Sequence, residues 1–224
     1  MSITRSRTPY NKNYTLKGHI LEDVKEAKYL GVTLSNTLNW NSHIGNITNK
    51  ANKLLGFLRR NLKINNEITK ENAYKAIVRS NLEYCSTVWS PYTKKNKNEL
   101  EKVQKRAARF VTGRYHNTSS VSSMIQHLGW ESLEQRRLRA RVIMLFKISH
   151  NIVAIDPQKY LVPLQRITRS AHSQQYQTFT PSTDYYKYSF FPHTVCLWNS
   201  LPSSFVTPGQ SLDQFKTLIQ GYKF

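Results

Sequence analysis

A helical repeat of apolar residues between positions 40 and 62 is the feature that most constrains what this chain can fold into. Apolar side chains recur there at intervals of three and four residues through about six turns, which is the pattern of an amphipathic helix. The stripe consists of Trp40, Ile44, Ile47, Ala51, Leu54, Leu55, Leu58 and Leu62. The cations that fall mainly on the other faces are Lys50, Lys53, Arg59, Arg60 and Lys63. The segment therefore predicts a long helix with one buried side and a basic outer surface.

A second helix is predicted from about Glu67, because Asn65 and Asn66 interrupt the first pattern and Pro91 ends the next one. Its apolar residues are Ile68, Ala73, Ala76, Ile77, Tyr84, Cys85 and Val88. The short gap between the two helices predicts an antiparallel helical hairpin.

Three more helices are indicated further along the chain. One covers 98–112, with Gly113 in the position that commonly ends a helix. A short helix follows over 121–128, and Ser132 with Gln135 forms a capping-box pattern that begins a longer one.

Beyond Pro157 the sequence is less regular. The stretch 166–192 is rich in Ser, Thr, Gln and Tyr, and either irregular structure or short strands fit it. After it, a short helix is expected to place Trp198 inward, and a last helix begins at Ser211.

At the N-terminal side, residues 14–34 favour a small antiparallel β-hairpin, because β-branched and aromatic residues alternate loosely there. We therefore expect a mainly α fold: a small N-terminal β-hairpin, an antiparallel helical bundle, and a less regular C-terminal region with a terminal helix.

Charge indicates the kind of partner. The chain has 33 Lys and Arg against 13 Asp and Glu, which gives a formal net charge of +20 over 224 residues. Positive charge at this density repels itself, so we expect a polyanionic partner, namely nucleic acid. The candidate phosphate-binding residues are Lys50, Lys53, Arg59, Arg60, Lys102, Lys105, Arg106, Arg109, Arg136 and Arg137. Solvated surface is the alternative interpretation for any single one of them.

Aromatic residues offer a second mode of nucleic-acid contact. Tyr92, Tyr115 and Tyr185 are candidates for stacking on bases, although core packing is the alternative interpretation for most aromatic residues of the chain.

Motifs for catalysis are missing from the sequence. The His and Cys residues show no metal-ligand spacing, and no glycine-rich phosphate loop is present. Most carboxylates stand near helix starts, as Glu67 and Glu71 do, where the helix dipole accounts for them. We expect no catalytic residue, no metal site and no cofactor in this chain, and hence an incomplete enzyme.

Cysteine usage and hydropathy indicate the compartment. Cys85 and Cys196 stand far apart in apolar runs, which predicts buried thiols in a reducing compartment. No apolar run approaches the roughly 18 residues that a membrane span requires. We expect an intracellular protein of the nucleus, the cytoplasm or both, with no membrane partner.

Four stretches of the sequence are distinctive. They are AKYLGVTLSNTLNWNSHIGNITNKANKLLGFLRRNL, AYKAIVRSNLEYCSTVWSPY, LEKVQKRAARFVTG and SFFPHTVCLWNSLPSSFV. Together and in this order they resemble the C-terminal part of the reverse transcriptase of LINE-type (non-LTR) retrotransposons, close to the jockey and CR1 groups. The resemblance covers nearly the whole chain from about Tyr14 onward.

The resemblance implies roles for particular segments. Tyr29, Leu30 and Gly31 match the primer-grip hairpin, and the helices from Trp40 to about Gly113 match the thumb, which closes on a template–primer duplex. In that family the catalytic palm, with its paired aspartates, lies upstream of the segment resembled, and this sequence contains no such motif. The full-length enzyme would use Mg²⁺, and its palm and fingers domains would be the protein partners of these segments.

Four segments follow from this comparison. They are a palm-remnant β-hairpin at 1–38, a thumb-like helical bundle at 39–114, a basic helical extension at 115–156 and a C-terminal region at 157–224. The expected function is binding of RNA or RNA/DNA duplex by a thumb and C-terminal part that is inactive alone. An independent, host-recruited nucleic-acid-binding or interaction protein is the alternative, and an inactive pseudogene product is a third interpretation.

Overall fold

The chain is mainly helical, with two small hairpins near its start. The computed structural model describes residues 1–3, 12–116, 118–164, 172 and 174–224. The strands are β1 (Thr15–Leu16), β2 (His19–Ile20), β3 (Glu26–Tyr29) and β4 (Val32–Ser35). The α-helices are α1 (Asn41–Asn61), α2 (Glu67–Ala73), α3 (Ser80–Glu83), α4 (Ser86–Trp89), α5 (Lys94–Thr112), α6 (Val121–His127), α7 (Leu133–Ser149), α8 (Asp184–Lys187), α9 (Phe190–Asn199) and α10 (Leu212–Ile219). A π-helical segment (Tyr74–Arg79) joins α2 to α3, and the 3₁₀ turns are Pro157–Lys159 and Ser203–Phe205.

These elements form two compact units. Unit 1 comprises Met1–Tyr84 and Thr93–Ser119, and unit 2 comprises Cys85–Tyr92 and Ser120–Phe224. Unit 1 is thus interrupted in sequence by the short segment that contains α4. The four-segment division made from the sequence stays a prediction.

Two hairpins form in the region where a single one was expected. β1 pairs with β2 and β3 pairs with β4, both antiparallel. Each pair closes through a two-residue turn with positive φ at both positions, Lys17 and Gly18 in the first, Leu30 and Gly31 in the second. Positive φ at both turn residues suits the twist of tight hairpins. The strands therefore pair locally instead of across the region.

Unit 1 is built on α1. This helix packs against β4, the π-helical segment, α3 and α5, and α2 also packs against α5. Asn96 Nδ2 donates to Asn41 Oδ1 at 2.8 Å near the start of both helices, and Arg106 Nη1 donates to Asn52 Oδ1 at 3.0 Å further along. α1 and α5 therefore run in the same direction. The buried apolar residues include Ile44, Ala51, Leu55, Leu58, Tyr74, Val78, Leu82, Leu100, Val103, Ala107, Phe110 and Val111.

The second helix buries a different stripe from the predicted one. Tyr74, Val78 and Leu82 are fully buried, whereas Ile68 and Ile77 are exposed. The buried residues stand four apart, so they share one side of the helix. The π-helical segment Tyr74–Arg79 lies within this stretch.

Unit 2 is organised around α7, which packs against α4, α9 and α10. Its core is aromatic: the Phe146 and Phe215 rings stack with centroids 4.5 Å apart, and the Trp198 ring lies 5.6 Å from that of Phe215. Trp198 is fully buried, as predicted. Ser211 begins α10 with a complete capping box, in which Gln214 is the second member.

The region that the sequence left open is mostly irregular. One antiparallel bridge joins Pro163 to Tyr176, and the tyrosine-rich stretch after Thr183 forms α8 instead of a strand. Part of the open stretch, 166–171 and 173, lies outside the described residues. The prediction of two buried thiols is wrong for Cys196, which is exposed, while Cys85 is half-buried.

Candidate nucleic-acid interface

Most of the positive charge belongs to unit 1. Its residues in the sequence include 22 Lys and Arg against 8 Asp and Glu, whereas unit 2 has 11 against 5. Unit 1 thus carries +14 of the net +20, so it is the part of the molecule that a polyanion would meet most favourably.

The α1–α5 face of unit 1 brings together residues that lie about 50 positions apart in sequence. On α1 the predicted cations Lys50, Lys53, Arg59 and Arg60 are exposed, and on α5 Lys102, Lys105 and Arg106 are exposed while Arg109 is half-buried. At 100° per residue, Lys50 and Arg59 lie on opposite sides of α1, so the α1 cations spread over more than one face of the helix. Exposed cations on two adjoining helices can contact phosphates without reading base sequence.

One pair of charges on this face is already neutralised. Lys102 Nζ lies 2.7 Å from Glu99 Oε1, and the hydrogen bond that Lys102 donates lowers the pKa of the Glu99 carboxyl. Both side chains are exposed, so the pair is open to exchange with a phosphate.

Three of the predicted residues meet at a hollow of about 360 Å³ between α1 and α5. Arg59, Arg106 and Arg109 line it together with Tyr115, and the Arg59 guanidinium carbon lies 4.9 Å from the centre of the Tyr115 ring. Tyr115 is 48% exposed, so of the three tyrosines singled out in the sequence it combines an open ring with neighbouring arginines. Tyr92, by contrast, is half-buried and stacks on Tyr188 with centroids 4.8 Å apart.

The predicted primer-grip residues form the tip of the β3–β4 hairpin. Tyr29 and Leu30 are largely exposed, and Leu30 has φ of 46°, a left-handed conformation that is unusual for an aliphatic residue. Gly31 follows with φ of 84°, and a Cβ at this position would lie 3.3 Å from Cε1 of Tyr84. Glycine is therefore required at 31 both by the backbone conformation and by the close approach of the tyrosine.

Several hydrogen bonds fix this hairpin to the helices of unit 1, among them one donated by Asn46 Nδ2 to Thr33 Oγ1 at 3.4 Å. The Tyr84 hydroxyl donates to the Leu30 carbonyl at 3.1 Å, and the Ser42 hydroxyl donates to a Glu26 carboxylate oxygen at 2.8 Å. Another is donated by the Thr33 N–H to Nδ1 of His43 at 3.2 Å. A hairpin that would be marginal alone thus has a defined position.

A larger hollow, of about 650 Å³, lies beside the hairpin. Leu30, Gly31 and Tyr84 line it with two cations, Lys28 and Lys50. Lys50 is the one predicted phosphate-binding residue in this group. The hairpin tip and the start of α1 therefore share one basic hollow.

Sequence reasoning missed His43 and Tyr84 as site residues, although both line this hollow. His43 is buried, and desolvation lowers the pKa of its imidazole. The neutral ring is the form that can accept from Thr33 at Nδ1, so burial and hydrogen bonding favour the same protonation state. In the sequence, a single histidine three residues after Trp40 and near a helix start does not by itself predict a functional role.

The predicted basic face of α7 needs correction. Arg137 is 1% exposed and Arg136 is half-buried, because α7 is enclosed by α4, α9 and α10. Arg141 is equally buried: its guanidinium donates to Ser189 O at 2.5 Å and to Thr194 Oγ1 at 3.1 Å. Burial lowers the pKa of Arg141 to about 10. These arginines hold unit 2 together, and Arg137 offers no surface to a phosphate.

A fourth arginine of α7 is also engaged within unit 2. Arg139 pairs with Glu131 through both guanidinium nitrogens and donates from Nε to the Ile219 carbonyl at 3.1 Å. The hydrogen bond from Arg139 lowers the pKa of Glu131.

Among the residues that the structure describes, no group of three or more His, Cys, Asp or Glu side chains is placed to hold a metal ion. Within the same residues, every helix is too short or too polar to cross a membrane.

The fold and these surfaces define a basic, mainly helical protein with cation-lined hollows on its more highly charged unit. No protein-family model and no solved structure matches the chain. Over 111 residues it is 29% identical to the "Probable RNA-directed DNA polymerase from transposon BS" of Drosophila melanogaster. The matched segment is 48% of this chain and 12% of that protein. This similarity supports a reverse-transcriptase-related region in the chain.

Proposed function

We propose that this chain is a nucleic-acid-binding part of a non-LTR retrotransposon reverse transcriptase, of the jockey/CR1 type, in which unit 1 includes a thumb-like bundle and a primer-grip-like hairpin. The observation that carries the proposal is the α1–α5 face, where Arg59 of α1 and Arg106 and Arg109 of α5, from two distant sequence segments, line one hollow. The similarity to a transposon polymerase agrees with it. The partner we propose is RNA or an RNA/DNA duplex held by its phosphates.

Shape and charge both favour backbone contact over base readout. Lys and Arg side chains on two adjoining helices present point charges and planar forks, both of which bind phosphates. The two acids of α5, Glu99 and Glu101, do not cancel this charge, since the helix carries seven Lys and Arg side chains.

We further propose that the chain does not polymerise nucleotides alone and acts with palm and fingers domains of a longer enzyme, inside the cell. The polymerase chemistry of such enzymes needs closely held carboxylates for metal ions. Incubation of the purified chain with template–primer, Mg²⁺ and deoxynucleotides should give no extension product. Extension that is lost on substitution of one acidic residue would contradict this.

The binding proposal is tested by titrating the chain with RNA/DNA hybrid, RNA duplex and DNA duplex at several salt concentrations. We expect affinity to fall with salt, with a slope of about −0.9 for each phosphate neutralised. The test variant replaces Lys53, Arg60, Lys102 and Lys105 with Gln, since all four are exposed on the α1–α5 face. It should bind more weakly and with a shallower salt slope.

A matched control separates a specific surface from general charge. The control variant replaces Lys147, Lys159, Lys187 and Lys223 of unit 2 with Gln and loses the same net charge. The control should bind nearly as well as the unmodified chain. Equal weakening of both variants would show that binding follows net charge alone, and binding that is absent at low salt would overturn the proposed function.

A further inference from the structure

The hollow between α1 and α5 has features that contact with a duplex backbone does not require. Gly113 ends α5 with φ of 68°, and the chain then turns so that Tyr115 faces back toward α1. There the Arg59 guanidinium lies over the tyrosine ring at 4.9 Å. An exposed aromatic ring paired with a planar cation makes a stacking platform.

The rest of this hollow suits a phosphate. Arg106 and Arg109 line it, and Asn52 holds Arg106 in place by accepting from its Nη1 at 3.0 Å. Gly56 also lines the hollow, so at this position α1 contributes backbone without a side chain. Among the described residues that line it there is no carboxylate, and its volume of about 360 Å³ lies at the small end of ligand sites.

A second hollow, of about 370 Å³, meets the first one. Arg59, Phe110 and Tyr115 line both, so the two hollows adjoin at the Arg59–Tyr115 pair. The second also has two cations of its own, Lys63 and Lys70. Base-stacking groups are thus flanked by positive charge on both sides.

Resting on the proposed function, we infer that these two hollows take an unpaired strand of nucleic acid, with a base stacked on Tyr115 and Arg59. The adjacent phosphates would meet Arg106 and Arg109 on one side and Lys63 and Lys70 on the other. Base faces are covered by neighbouring bases in a duplex and open in a single strand, so an aromatic platform favours unpaired nucleotides. Because stacking uses the base face and not its edges, the site should be tolerant of sequence.

The test compares single-stranded RNA with a duplex of the same length. The probes are a 12-nucleotide oligouridylate and an RNA/DNA hybrid, each titrated by fluorescence anisotropy at one salt concentration. Tyr115→Ala should weaken single-strand binding about tenfold, as loss of one stacked base does, and leave hybrid binding nearly unchanged. Tyr115→Phe keeps the ring and should retain binding. Tyr14→Ala removes a tyrosine of unit 1 that is similarly exposed and serves as the control.

A pair of glycine substitutions provides an independent test. Gly45 and Gly56 both lie in α1; a Cβ at Gly45 meets nothing within 4 Å, whereas a Cβ at Gly56, which lines the hollow, would lie 3.4 Å from Nη1 of Arg60. Alanine favours helix over glycine, so both substitutions should raise the unfolding temperature. Only Gly56→Ala should weaken single-strand binding, because it adds a methyl group to the hollow.

A free mononucleotide has the same base and phosphate chemistry, so uridine monophosphate forms a separate arm. We expect uridine monophosphate to bind far more weakly than the oligonucleotide, since it occupies one hollow at a time. Equal affinity per site would assign the hollow to free nucleotides and overturn the inference that it takes an unpaired strand. Equal losses on single strand and hybrid, or no loss with Tyr115→Ala, would also overturn the inference while salt-dependent hybrid binding still upheld the proposed function.

Discussion

The hydroxyl of Tyr84 donates to the carbonyl of Leu30 at 3.1 Å, and so joins the residue that follows α3 to a hairpin tip 54 positions earlier in the chain. Replacement by phenylalanine removes this bond and keeps the ring that packs near Gly31. Because Tyr84 is largely exposed, we expect Tyr84→Phe to lower the free energy of unfolding by about 0.5–1 kcal/mol, the low range for a hydrogen bond. Urea unfolding measures it, with Tyr14→Phe as the control; equal changes in the two variants would contradict a role for this bond.

The turn at Leu30 predicts a stabilising substitution. Leu30 holds a left-handed conformation with its side chain 72% exposed, so it gives up backbone energy without burying much surface. Asparagine tolerates this conformation and is favoured before glycine in such turns. Leu30→Asn should raise the free energy of unfolding by about 0.5–1 kcal/mol.

The first hairpin contains the same arrangement and provides a comparison. Lys17 has φ of 50° and precedes Gly18, as Leu30 precedes Gly31. Lys17→Asn should therefore also stabilise. If Leu30 contacts nucleic acid as the proposed primer-grip-like role requires, Leu30→Asn alone should weaken binding to template–primer even as it stabilises the fold.

His43 predicts a dependence of stability on pH. Burial lowers the pKa of His43 below its ordinary value of about 6.5, so the unfolded chain takes up a proton at a higher pH than the folded chain does. Its contribution to stability is complete above pH 6.5 and is lost as pH falls through the lowered pKa of the folded state, at no more than about 1.4 kcal/mol per pH unit. Protonation would also end the acceptance of the Thr33 N–H at Nδ1.

The comparison that isolates this effect is His43→Asn, whose side-chain oxygen accepts a hydrogen bond at every pH. Urea unfolding at pH 7.5, 6.5 and 5.5 should show the unmodified protein losing stability relative to the variant as the pH falls. Parallel pH profiles for the two proteins would remove His43 as the cause.

The π-helical segment makes a prediction about two neighbours in sequence. Val78 is fully buried and Ile77 is 37% exposed. Val78→Ala should lower the free energy of unfolding by about 2 kcal/mol through lost burial and the cavity left behind, and Ile77→Ala by much less. Urea unfolding measures both losses. A larger loss for Ile77→Ala than for Val78→Ala would contradict this prediction and support the buried stripe predicted from the sequence, which includes Ile77.

Sequence reasoning succeeded where the signal is local. The apolar repeat of α1, Gly113 at the end of α5 and Ser211 at the start of α10 act within a turn or two of helix, and each stands where it was predicted. Sequence reasoning failed where packing between distant segments decides which residues are buried. The core side of the second helix is set by α1 and α5, and Arg137 and Arg141 are buried because α7 packs against α4, which comes earlier in the chain, and against α9 and α10, which come later.

The same difference between local signals and distant packing applies to the candidate interface. Periodicity placed Arg59 and Arg106 on the outer faces of two helices, but only the side-by-side packing of α1 and α5 brings them to one hollow. Tyr115 was one tyrosine among three in the sequence, and its pairing with Arg59 depends on a left-handed glycine two residues earlier. Two-residue turns with lysine or leucine before glycine are weaker signals than asparagine–glycine, so the sequence pattern predicts one hairpin where the structure has two.

The position of α4 governs how this protein can be dissected. Its segment, Cys85–Tyr92, leaves unit 1 after Tyr84 and returns at Thr93; its helix packs against α7 of unit 2, and Trp89 in that helix is fully buried. A truncation after Ser119 would remove α7 and leave apolar surface of this segment without that partner. When unit 1 is isolated for binding studies, a short polar linker should therefore replace Cys85–Tyr92. Aggregation of the isolated unit would otherwise be mistaken for a failure to fold.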